Sequence, residues 1–78
     1  MSRERTFSIV LEPQPEGGFV VVVPSLPEVV TEGETEDEAV AMAHEAIVLA
    51  LDWRREHGEE IPAETTPTVR QVRVRTAA

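Results

Sequence analysis

Cysteine and lysine are both absent from this 78-residue sequence, and no apolar run approaches the ~20 residues that a membrane span requires. Without cysteine there is neither a disulfide nor a thiolate metal site. Two common supports are thus missing from a domain whose size lets it bury only about 60% of the surface its unfolded chain exposes. Self-association is the remaining support, and a homo-oligomer, dimer or tetramer, is the expectation. The lack of cysteine also suits a reducing compartment. The opening MSRERTFSIVLEP carries charges but no signal-peptide core. The sequence reads as one soluble, cytoplasmic domain spanning residues 1–78, with no membrane partner.

All seven cations are arginine, namely Arg3, Arg5, Arg54, Arg55, Arg70, Arg73 and Arg75, and fifteen acids outweigh them to a net charge of −8. Nucleic-acid binders show a basic face, whereas an acidic surface repels phosphate and attracts basic partners. Direct nucleic-acid binding is therefore not expected. Arg70, Arg73 and Arg75 make the single basic patch.

Periodicity sets the order of elements. Residues 5–13 read as a strand with Phe7, Ile9 and Leu11 on one face. Gly17 and Gly18 supply the positive φ of a hairpin turn. Residues 19–24, FVVVVP, are apolar on both faces, which predicts a strand covered on both sides. Pro24 and Pro27 stop it, because each lacks an N–H and holds its predecessor extended. Leu26, between them, is expected in the core. Residues 28–33 form a short third strand, with Gly33 expected to end it at positive φ. Thr35 and Glu38 have the spacing of a capping box, and Glu36, Asp37 and Glu38 complement the dipole of the helix that follows.

That helix is expected over residues 36–57, with Gly58 as its C-terminal glycine and Pro62 preventing a restart. Ala39, Ala43, Ala46 and Ala50 form a central stripe that lets it lie close on a sheet. Met42, Leu49 and Trp53 flank the stripe on one side; Val40, Ile47 and Leu51 flank it on the other. Asp37, Glu38, His44, Glu45, Asp52, Arg55 and Glu56 occupy the back. The apolar arc is wider than one sheet contact needs, so Trp53 and Leu49, with Val48 on the back, are candidates for an oligomer seam. Ile61 is expected to fold back as an anchor. Val72 and Val74 alternate with Arg73 and Arg75, which predicts a half-buried last strand returning beside the first. The fold class is therefore α+β: a β-β-β-α-β two-layer domain, with one helix packed on a small, mostly antiparallel sheet.

No catalytic set emerges. His44 and Glu45 begin HEAIV, but a zinc helix needs a second histidine where Val48 stands. His57 sits where an imidazolium favours the helix's negative end. Gly17 and Gly18 precede no helix, so they cannot form a phosphate loop. Glu32, Glu34, Glu36, Asp37 and Glu38 form a charge run, and charge runs are solvated as a rule. Ser2, Ser8 and Ser25 have no local triad context. The residues imply neither an enzyme nor a cofactor.

The ordered set of EGGF (16–19), VPSLP (23–27), GETEDEA (33–39), AHEAI (43–47) and GEEIP (58–62) resembles the HicB-like antitoxin family over residues 6–74. The sequence departs at Glu28, where the family often has glycine. The resemblance implies a reduced RNase H-like fold without that fold's acidic metal site. It implies an antitoxin that binds a small basic HicA-like mRNA endonuclease and covers the toxin's active site. Many members add a C-terminal DNA-binding segment; here four residues follow Val74, so autorepression by this chain alone is not expected. Glu45, Asp52 and Glu56 on the helix back, with Leu26 and Glu28 in the proline loop, are the candidate toxin contacts. The alternatives are an orphan oligomeric structural or small-ligand-binding domain without a toxin, and a minimal nuclease using the acids near Gly33.

Overall fold

The computed structural model describes residues 4–77, so Ser2 and Arg3 lie outside the described residues. Three short strands, β1 (Val10–Pro13), β2 (Phe19–Val22) and β3 (Val30–Gly33), form an antiparallel sheet in the order β1-β2-β3. One helix, α1 (Glu36–Glu56), follows and packs on one face. The α+β arrangement is the one the periodicity predicts. The strands are shorter than expected, because the ladder stops at Val10↔Val22↔Val30. Beyond Val22 the chain enters two successive turns, with Leu26 N–H donating to the Val23 carbonyl and Val29 N–H to the Leu26 carbonyl, each at 2.9 Å.

The turn residues explain the hairpin and the helix ends. Gly17 and Gly18 adopt φ of 101° and 80°, and the Gln14 N–H donates to the Gly18 carbonyl at 3.0 Å to close the loop. The Thr35 side chain accepts from the Glu38 N–H at 3.1 Å and caps α1. At the far end Gly58, at φ 68°, closes a Schellman motif: Glu59 N–H donates to the Arg54 carbonyl at 2.8 Å and Gly58 N–H to the Arg55 carbonyl at 3.3 Å.

Gly33 departs from its expected conformation. Its φ is not positive. It is glycine because β3 meets the first turn of α1 there: a Cβ would sit 2.5 Å from the Ala39 nitrogen and 2.7 Å from its Cα. The requirement is one of close approach, not of backbone hand.

The core has two joined parts. Val21, Ala39 and Ala43 are buried together, with Ile9, Leu11 and Phe19 packed around them. Val23, Leu26 and Val29 form the second part, against Phe7, Ile47 and Leu51. The alanine stripe thus lets helix and sheet approach closely, and Leu26 fills the end of the sandwich, fully buried.

Two expectations fail. The strand apolar on both faces is covered on one only: Val10, Val20 and Val22 on the other face are half-buried, and Val30 is 63% exposed. The predicted last strand does not form within the chain. Residues 59–77 carry no helix or strand, and Val72 and Val74 are exposed, not half-buried. Alternation specifies a strand only when a second strand supplies hydrogen bonds and a layer supplies cover; the segment meets neither here. Ile61 does fold back, half-buried, as does Pro62. No helix among the described residues is long and apolar enough to cross a membrane.

Candidate partner-binding surface

Helix periodicity places the acids and the exposed apolar residues of α1 side by side. At about 100° per residue, Glu38, Glu45, Asp52 and Glu56 fall in one row. Met42, Leu49 and Trp53 form the adjoining ridge, with Leu49 64% and Trp53 50% exposed. Trp53 is held by His57, whose ring stacks on the indole at 4.0 Å and 16°. His57 Nδ1 lies 2.8 Å from the Trp53 carbonyl, which makes that nitrogen the donor. The histidine thus finishes the helix and braces an exposed tryptophan. Val48 stands about 100° away from Leu49, across the acid row. The three residues expected at one oligomer seam therefore belong to two patches: Leu49 and Trp53 on the ridge, and Val48 in a groove on the other side.

Asp52 is half-buried and ion-paired with Arg55 one turn on. Glu45 and Glu56 are exposed, and neither holds an ion pair among the described residues. Their charge is available to a cationic partner.

The proline loop contributes differently. Leu26 is fully buried, which leaves its side chain no surface for a partner; its place in the proline loop is a core position. Glu28 faces solvent in part but is committed. Arg54 Nε donates to Glu28 Oε2 at 2.8 Å, Nη2 to Oε1 at 2.9 Å, and Nη1 to the Glu60 carbonyl at 2.9 Å. One guanidinium thus ties together the proline loop, the end of α1 and the segment that follows. The Arg54 hydrogen bonds hold the Glu28 carboxyl below its ordinary value, against partial burial acting the other way. Sequence reasoning missed this clamp, because the partners lie 26 residues apart and surface Arg–Glu pairs are common.

The charge run near Gly33 is partly gathered by the fold. Glu16, Glu32, Glu34 and Glu38 line a cleft of about 700 Å³ beside the hairpin turn, with Gly18 and Met42. Among the described residues no group of three or more His, Asp or Glu side chains is placed to hold a metal ion. Ser8 and Ser25 face Thr65, not a base: the Ser8 hydroxyl donates to the Thr65 carbonyl at 3.4 Å, and the Ser25 and Thr65 hydroxyls lie 3.1 Å apart. His44 is exposed on α1, at the rim of the apolar groove. Among the described residues these contacts give the surface charge and shape and bring no serine hydroxyl against a base.

Residues 7–75 match the family model described as HicB-like antitoxin of bacterial toxin-antitoxin systems. Antitoxin HicB 1 of Photorhabdus laumondii is 41% identical over 56 residues, which is 72% of this chain and 36% of that protein. Antitoxin HicB of Escherichia coli is 41% identical over 56 residues, 72% of this chain and 41% of its own length. A UPF0150 protein of Thermoplasma acidophilum is 30% identical over 63 residues, 81% of this chain and 91% of that protein. The chain spans between 36% and 47% of the length of the HicB antitoxins it matches in Photorhabdus laumondii and Escherichia coli.

Proposed function

Because this chain belongs to the HicB-like antitoxin family, we propose that it is the antitoxin of a toxin–antitoxin pair, which neutralises a small basic HicA-like mRNA endonuclease by covering its active site. The observation that carries this reading is the acid row of α1, in which Glu45 and Glu56 hold no ion pair among the described residues. Glu45 and Glu56 project beside an exposed apolar ridge, on a protein of net charge −8. A cationic RNA-cleaving protein offers the complementary potential. Opposite fields speed encounter, and added salt screens them. Asp52 joins the row through its outer edge. Glu28, paired with Arg54, fixes the shape of the proline loop, and its charge is largely neutralised by the guanidinium.

A homo-oligomer, dimer or tetramer, is part of the same proposal. The two apolar patches flanking the acid row, Leu49 with Trp53 on one side and Val48 on the other, are the surfaces it would cover, leaving the row between them for the toxin. Inhibition is by occlusion, so the chain itself makes and breaks no bond.

The test is co-expression with the short basic protein encoded beside it. A stable complex and relief of growth arrest are expected. Glu45→Arg with Glu56→Arg should weaken the complex by about one to two orders of magnitude and flatten its salt dependence. No complex and no relief would overturn the reading. A second reading, an orphan structural or small-ligand-binding domain, draws on the apolar groove of about 360 Å³ beside α1, a size that suits a small molecule. A thermal shift with a small apolar ligand, in a strain that encodes no such toxin, would favour it.

A further inference from the structure

We propose that residues 69–75 become a β-strand only on a second copy of this chain, two protomers exchanging C-terminal strands so that each lays Val72 and Val74 into the other's groove. Four observations carry the proposal, and none depends on the antitoxin reading.

The first is an apolar segment without cover. Val69, Val72 and Val74 are 82%, 82% and 72% exposed. They are β-branched and, from Val72 on, alternate with arginine, the pattern of a strand with one buried face. The second is a vacancy of matching shape. Among the described residues β1 pairs with no strand but β2, so its other edge carries no strand. Beside it lies the groove of about 360 Å³, lined by Phe7 and Ile9 from the approach to β1 and by Val40, Ile47, Val48 and Leu51 from α1. A strand added to that edge would drop every second side chain into the groove. Its alternate residues would stand on the open sheet face, where Glu12 and Glu32 occupy one cross-strand row. Valines fit the first position and arginines the second.

The third observation is charge. The fifteen acids all precede residue 69, as do four arginines, so residues 1–68 carry 4 − 15 = −11 and residues 69–78 carry +3. The tail is drawn to an acidic body. The fourth is direction, which decides between its own body and another. Thr65 is pinned at Ser8 and Ser25. Pro67 then lacks an N–H and keeps Thr66 extended, so the chain does not reverse where a fold-back would need it to. The molecule instead measures 56 × 25 × 20 Å, with a radius of gyration of 15.3 Å; a compact chain of this length has about 11.5 Å. An extended arm behind a stiff hinge reaches a neighbour, and two such exchanges close with two-fold symmetry.

Two measurements test this on the full chain. In sedimentation equilibrium the protein should dimerise, and Val72→Asp with Val74→Asp should raise the dimer dissociation constant by about two orders of magnitude, the scale set by two buried valines. Both positions are exposed, so the fold of the single chain is left intact, which circular dichroism checks. Because the sequence has no cysteine, Val72→Cys and Val40→Cys can be made in separate chains, mixed, and joined by a short bis-maleimide; a covalent heterodimer is expected. A full chain that stays monomeric at about 100 µM, well above any useful dissociation constant, would overturn the proposal. So would a dimer indifferent to the two aspartates, or a mixture of the two single-cysteine chains that yields no covalent heterodimer.

Discussion

Val21 and Val72 are the same side chain in opposite circumstances: one is 0% exposed at the centre of the sheet, the other 82% exposed on the tail. Both lie in stretches rich in β-branched residues. What separates them is company. Val21 has β1 and β3 on either side and Ala39 and Ala43 across from it; Val72 has neither neighbouring strand nor covering layer. The charges divide the same way, acidic in the body and basic in the tail. The comparison teaches that strand propensity is a property of a surface completed by others, not of a segment alone.

The comparison can be pressed hardest at the joint that makes the body compact. Gly33→Ala places a methyl against the Ala39 backbone and should cost about 3 kcal/mol, the upper end of overpacking, read as a fall in the urea midpoint. Next, Val21→Ala should cost about 2 kcal/mol, whereas Val72→Ala should change single-chain stability by under ~0.5 kcal/mol at protein concentrations low enough to hold monomers. Equal losses would show that the tail is packed within its own chain. Thr35→Ala removes the cap on the Glu38 N–H and should cost about 1 kcal/mol, measured by thermal melting.

The smallest effect concerns the clamp where body meets tail. The folded state holds the Glu28 carboxyl below its ordinary value of 4.5. Its contribution to stability is therefore full above that value and is lost as pH falls through the lowered one. Glu28→Gln should melt earlier than the parent at neutral pH. The gap should close in acid, and a gap that stayed constant across the titration would exclude the clamp as its source.

Much of the body was legible residue by residue. The alternation of Phe7, Ile9 and Leu11, the paired glycines, Thr35 before three acids, and the alanine stripe each name a local structure whose cause lies within a few positions. Leu26 between two prolines was readable as core, and only its second assignment, as a contact, fails against its burial. The candidate surface was legible in part. The acid row follows from helical spacing, but its separation of Val48 from Leu49 and Trp53 into two patches emerges only when the sheet shows which arc of the helix is taken.

By itself, then, the sequence determined where the chain turns, where the helix starts and stops, and which sign of charge the surface presents, because those depend on dihedral preferences, caps and composition within a few residues. The tertiary structure decided that Gly33 is needed for contact and not for hand, that Arg54 reaches Glu28 and Glu60 at once, that one sheet face lies open, and that a well-patterned strand finds no place beside β1 in its own chain. Each of these is a relation between segments far apart in sequence. Close approach, ion pairing and burial depend on distances through space, and local pattern does not set those distances.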